Sequence, residues 1–322
     1  MSAPTNTYQT YSQVNIREDL TNAIYNVDPY KTPLLNMAKK TKAEQTYHEW
    51  NEDSLAAQNT ANAQIEGDDA SADAQIPTVR RGNYTQISRK TVQISGTSQS
   101  VVAAGGSNKM GYQLLKSSKA LKRDMEGILT LNQAKAVGSS TVARNMGGLP
   151  AWLITNTVFN SGGTPAGANP TDGSGSHART YSGTTVALTE ANVDSLAELM
   201  YKNSGESPDY ILVSPTNKQA VSKFTGPAGT RFNKVEDKTL RTAIDEYETD
   251  FGMIRIVPDI FLAQSGDVYA IQPEYLRVAY LRPFQTVPLA KTGDSDKKLL
   301  IVEYTMEVGN EKAIGGIFDT TG

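Results

Sequence analysis

An α+β fold with a projecting arm follows from three observations in the 322-residue sequence. Residues 109 to 136 contain no proline and carry a helical apolar stripe of Leu114, Leu121, Met125 and Ile128, spaced so that the side chains share one face. Ahead of this spine helix, a long polar stretch reads as two strands joined by an alanine-rich tip. Behind it, the chain passes through a compact mixed segment and returns to strands.

Taken in order, residues 1 to about 15 are mostly Thr, Ser, Asn, Gln and Tyr, an arm rather than a domain. Ile16, Leu20, Ile24 and Val27 have helical spacing, and Asp28-Pro29 forces a turn. Leu34-Leu35-Asn36-Met37 is a short apolar anchor. In 44–52, Thr46, His48 and Trp50 alternate with Tyr47 and Glu49, which predicts a strand. A second strand is expected over 79–95. There Ile87 has the opposite parity to Val92 and Ile94, which points to a bulge between them. The tip, 53–77, holds Glu66, Asp68, Asp69 and Asp73, and no Lys or Arg occurs between Ala43 and Val79. A hairpin this long and polar needs a partner surface, because an isolated two-stranded ribbon is marginal in water.

Ser107 and Asn108 are good caps for the spine helix, which is expected to end near Gly138. Residues 145–150 read as a turn, and 156–183, rich in Gly, Ser, Thr and Asn, as a mobile surface loop. Thr189 caps a helix with Val193, Leu196 and Met200 on its apolar face. Tyr210-Ile211-Leu212-Val213 is a buried strand. Ser214-Pro215 opens another helix, with proline where its missing N–H costs nothing. A polar loop over 224–239 follows. Strands are expected at 253–257, 267–271, 276–281, 284–289 and 299–308.

Composition narrows the functions. The hydrophobic fraction is 38%, below the roughly 45–50% (glycine included) of a globular monomer, so part of the chain buries itself only against neighbours. Lys plus Arg total 31 against 34 for Asp plus Glu, which offers no clustered positive charge for gripping nucleic acid. There is no cysteine, so disulfides and thiolate metal sites are excluded. No secretory leader or membrane-length apolar run is read.

No catalytic constellation, cofactor site or metal site is expected. His48 and His177 sit on unrelated elements and lack further ligands. Glu66, Asp68, Asp69 and Asp73 lack calcium-loop spacing and read as a solvated acidic tip. Glu52-Asp53 are adjacent strand positions facing opposite ways, unsuited to paired acid catalysis. Ser214 lacks the glycines of a nucleophile elbow. No phosphate loop follows Gly162-Gly163 or Gly173 to Gly175.

Three stretches carry a resemblance: Arg17-Glu18-Asp19-Leu20 through Asp28-Pro29-Tyr30-Lys31-Thr32-Pro33-Leu34-Leu35 ahead of Tyr47-His48-Glu49-Trp50; Pro208-Asp209-Tyr210-Ile211-Leu212-Val213-Ser214-Pro215; and Tyr275 to Phe284 with the closing Glu303-Tyr304-Thr305-Met306-Glu307-Val308. The chain resembles the major capsid proteins of tailed bacteriophages, of the Hong Kong 97 type, and within them the SU10-like major head proteins. The resemblance implies an N-terminal arm over 1–43 and an extended loop over 44–105. A peripheral domain would take 106–139 and 276–322, and an axial domain 140–275. It further implies hexamers and pentamers closing an icosahedral shell around double-stranded DNA, in a virion assembled in the host cytoplasm. Separate scaffolding, portal and decoration proteins are the implied partners, with no membrane and no enzymatic activity. Some relatives cross-link through a lysine in the extended loop. Here Lys42 and Lys90 flank that loop and none lies between, so such a link is not expected. The closest alternative is an encapsulin-like cellular compartment with enzyme cargo. An exported surface-layer or adhesin module, suggested by the Thr/Ser/Gly-rich loops, lacks a leader.

Within such a shell the acidic tip is expected to dock on a neighbour's Lys116, Lys119, Lys122 and Arg123, on the exposed part of the spine helix. With a pI near 5.6 and no basic tail, the subunit is expected to enclose DNA without sequence-specific binding.

Overall fold

The computed structural model describes residues 28–67, 69, 72–101, 109–160, 167–224 and 246–321. The expected helix over Ile16 to Val27, the caps Ser107 and Asn108, and Asp68 lie outside them.

The spine helix is α3 (Lys109–Leu129). Leu121 and Met125 of the predicted stripe are buried, with Leu129, and Ile128 packs against the same core. It stops at Leu129, earlier than expected. Proline is absent from 130–136, but tertiary hydrogen bonds take over there. Thr130 turns its hydroxyl back onto the Glu126 and Gly127 carbonyls, Asn132 pairs with the backbone of Arg179, and Ala136 bridges Asn145. Gly138 lies in the small turn that this bridge closes, with φ +73°.

Around α3 the chain builds a four-stranded sheet. It comprises β1 (Lys39–Lys42), β4 (Gln86–Ser95), β10 (Leu276–Leu289) and β11 (Ser295–Val308), in the order β1-β10-β11-β4. β1 runs parallel to β10, and the other pairs are antiparallel. Leu300, Val302, Tyr304, Met306 and Val308 alternate along β11 and are buried in one cluster with Leu121, Met125 and Leu129 of α3. Short α1 (Pro33–Met37) inserts Leu34 and Leu35 into that core, as the apolar anchor predicted. β10 is one strand with register shifts between Tyr280 and Gln285, where two strands were expected.

The second sheet orders β5 (Thr157–Phe159), β12 (Ile314–Phe318), β9 (Val268–Ile271), β6 (Tyr210–Val213), β8 (Gly252–Pro258) and β7 (Glu246–Thr249). Period two sorts its faces. Leu212, Tyr269, Ile271, Ile314 and Phe318 join the core shared with α3. Ile211, Val213, Val268, Ala270 and Ile317 pack instead with α4 (Glu190–Ser204) and α5 (Pro215–Val221). Ser214 caps α5 as predicted, accepting from Asn217 N at 3.2 Å. Gly205, in the left-handed region at φ +78°, ends α4.

Two findings depart from expectation. The resemblance groups Ile314–Phe318 with the spine helix, yet it pairs with β5 and β9 inside the second sheet. The composition of 156–183 predicts a mobile loop. Its described part is instead tied down by Arg179, which is 3% exposed, stacks its guanidinium 3.6 Å from the Phe318 ring centroid and donates to the Leu153 carbonyl.

Candidate functional site

No group of three or more His, Cys, Asp or Glu is placed to hold a metal among the described residues. His48 and His177 stand apart, each against one carboxylate, Glu307 and Asp172 respectively. No helix among the described residues is long and apolar enough to cross a membrane. The distinctive construction is the hairpin of β2 (Tyr47–Glu52) and β3 (Val79–Tyr84), an antiparallel pair.

Its base lies on β11. Glu303, Thr305 and Glu307 share one face there and are buried because the hairpin covers them. Glu303 accepts from the Thr85 hydroxyl at 2.8 Å, from Arg282 at 2.8 Å and from Arg144. Glu307 pairs with His48 at 3.1 Å and Arg277 at 3.0 Å. Burial alone would raise the Glu307 carboxyl; the His48 hydrogen bond and the Arg277 charge outweigh it and hold the group below its ordinary value. Asn83, wholly buried, donates to the carbonyls of Met306 and Gly147 and accepts from Gly147 N at 2.8 Å. Lys135 donates to Gly82 O at 2.7 Å and lies 5.4 Å from the Tyr47 ring centroid and 5.5 Å from that of Trp152. Burial lowers its pKa. Trp50 stacks on Trp152 at 5.3 Å.

At Thr85 the second strand changes partners: β3 belongs to the hairpin, and β4 joins β11. The bulge expected between Ile87 and Val92 is absent, and the register runs unbroken from Gln86 to Ser95. Ile87 has opposite parity because it faces outward at 48% exposure, while Val92 packs inward.

The tip contrasts with the base. Every described residue from Asp53 to Thr78 is exposed and outside any strand, including Leu55 at 96% and Ile65 at 80%. Glu66, Asp69 and Asp73 lie there. On α3, Lys116 and Lys122 are exposed and have no charged partner among the described residues. Lys119 instead sits 4.3 Å from the Tyr30 ring centroid. Arg123 lies 5.4 Å from that of Phe261 and reaches the Pro29 carbonyl. Among the described residues, no ion pair joins the acidic set to the basic set within one chain. Tyr112 and Leu115, on the same half of the helix, are 41% and 59% exposed.

Sequence reasoning missed the clamp residues Glu303, Glu307, Asn83 and Lys135. Glu303 and Glu307 had a signal: polar residues alternating with buried Tyr304, Met306 and Val308 imply a polar partner on the second face of β11. Asn83 and Lys135 carried none, because their partners are backbone carbonyls distant in sequence.

The chain is similar to capsid proteins over nearly its whole length. The sequence profile of the SU10 major capsid protein family matches residues 3–321. The major capsid protein of Escherichia phage Phieco32 is 25% identical over 363 residues, covering 100% of this chain and 99% of that one. Among solved structures, the cyanophage A-1(L) capsid asymmetric unit superposes with TM-score 0.66 at 15% identity, covering 98% of this chain and 99% of its counterpart. The SrpI encapsulin of Synechococcus elongatus PCC 7942 gives TM-score 0.60 at 10% identity, covering 98% and 96%. The fold is the Hong Kong 97 type of tailed-phage capsids. The chain belongs to the SU10 major capsid protein family, a structural protein of the virion shell.

Proposed function

We propose that copies of this chain form hexamers and pentamers that close an icosahedral shell around double-stranded DNA, assembled in the host cytoplasm with separate scaffolding, portal and decoration proteins, and that the chain has no enzymatic activity. The observation that carries the proposal is the hairpin, seated on buried, hydrogen-bonded residues at its base and exposed at every described residue of its tip. A segment with Leu55 and Ile65 in water reaches a stable state by packing on another subunit. In this reading the chain divides into an arm (1–43), an extended loop (44–105), a peripheral domain around α3 and the four-stranded sheet, and an axial domain around the second sheet that includes Ile314–Phe318.

Glu66, Asp68, Asp69 and Asp73 dock on the spine helix of a neighbouring copy. Lys116 and Lys122 supply the open charge, while Lys119 and Arg123 add to the local potential from their aromatic seats. Each rim pair contributes only about 0.2–1 kcal/mol, and a closed shell repeats it many times. DNA is retained by closure, since a pI near 5.6 offers few phosphate contacts.

Electron microscopy and light scattering of the purified assembly test this directly. Megadalton particles holding nuclease-protected DNA are expected. Particles filled with protein cargo would mean a cellular compartment, and a stable monomer would overturn the proposal. Hydrogen exchange in the tip should be fast in the lone subunit and slow in the shell; equal rates in both would remove the docking role.

A further inference from the structure

We propose that Glu126 and Asp259 form a proton-sharing latch that joins α1 to the spine helix and to the loop after β8. Glu126 is wholly buried, and its two oxygens accept the N–H groups of Leu34 at 2.6 Å and Leu35 at 2.9 Å. These are the first-turn N–H groups of α1, so a residue 91 positions away caps that helix. Asp259 is 1% exposed. Its Oδ1 accepts from Phe261 N at 2.8 Å, and its buried Oδ2 has no hydrogen-bond partner. The same loop is fastened to the spine helix by Ala263 N donating to the Thr130 hydroxyl at 3.1 Å.

Nothing among the described residues neutralises the two acids. α1 brings only backbone N–H groups. Arg123, on α3, is spent on Phe261 and Pro29. Tyr269, from the second sheet, gives its hydroxyl to Asp267 at 2.7 Å. Two carboxylates in one dry site do not both ionise, so the pair holds one proton and titrates jointly. The two carboxyls share that proton between Glu126 and Asp259, whose Oδ2 has no other partner. Burial, and then repulsion from Asp259, push the Glu126 carboxyl up to about 8, and burial raises Asp259 as well.

The sign follows. A carboxyl raised from 4.5 to about 8 binds a proton more tightly when closed than when open. The latch is therefore strongest below pH 4.5, weakens as pH rises toward 8, and levels off above it.

The test is hydrogen exchange of the full-length unassembled chain between pH 5 and 9, with rates normalised to unstructured peptide at each pH. Protection over 33–38 and 259–263 should fall at least tenfold from pH 5.5 to 8.5 and then flatten, while β9 and β12 stay protected. Asp259→Asn, which mimics the protonated acid, should remove the pH dependence. If that variant does not fold, Glu126→Gln should give a profile independent of pH, with weak protection at Leu34 and Leu35 throughout. A wild-type profile flat over this range overturns the latch, as does a variant profile with the wild-type slope.

Discussion

The base and the tip of the extended hairpin are both polar, and they behave as opposites. At the base, Glu303, Glu307 and Asn83 are buried and bonded to partners from β10, β11 and the segment after α3. At the tip, the described residues are exposed, the acids and Leu55 and Ile65 alike. Polarity alone does not set rigidity. A polar group on a strand becomes a fixed point when donors enclose it, and remains solvated when none approach. In the proposed reading, the base belongs to the folding of one subunit, and the tip to contact between subunits.

Substitutions can break that contrast. The largest effect is expected from Glu303→Ala, which strips the shared acceptor from Thr85, Arg144 and Arg282. The cost to the unassembled subunit should be about 3 kcal/mol by chemical denaturation, the low end for a broken buried pair because Arg282 is 44% exposed and rehydrates. Asn83→Ala should cost about 2 kcal/mol, since Gly147 N–H is left buried without an acceptor. Glu307→Gln should act through pH. The folded carboxyl is held below its ordinary 4.5, so its contribution is present above that value and is lost as pH falls through the folded one. The variant should be less stable at pH 7 and lose less between pH 5 and 3, as read from denaturation midpoints. The smallest effect on the lone subunit belongs to the tip. Reversing Glu66, Asp68, Asp69 and Asp73 to Lys should change its stability by less than about 0.5 kcal/mol while slowing assembly or making it more salt-sensitive. A tip variant as destabilised as Glu303→Ala would erase the distinction, and unchanged assembly kinetics across ionic strength would remove the electrostatic contact.

Local pattern was enough wherever an element's reason is local. The stripe of α3, the alternation of β2, and the Ser214-Pro215 start of α5 were legible because period and cap chemistry lie in consecutive residues. The end of α3 was not, because Asn132 and Arg179 meet only in the folded chain. β12 was hidden by Gly315-Gly316, because glycine weakens the local strand signal. In the structure these glycines leave room: a Cβ on Gly315 would stand 2.8 Å from Leu196 Cδ1 and 3.1 Å from Asn156 Cβ. The candidate site divides the same way. The acidic tip was visible as composition, and the clamp beneath it depends on pairs separated by up to 259 residues.

The position of β12 has a consequence for synthesis. The ribosome releases β5, β6, β8 and β9 before β12 exists, yet β12 separates β5 from β9 in the finished sheet. Until Phe318 has emerged, β5 has no strand to pair with, and Leu153 and Tyr269 lack the aromatic ring that completes their core. A chain cut short before that point leaves β5 detached from the second sheet. The second sheet of a subunit is therefore completed only when synthesis is nearly over, because the strand that links β5 to the others emerges last among them.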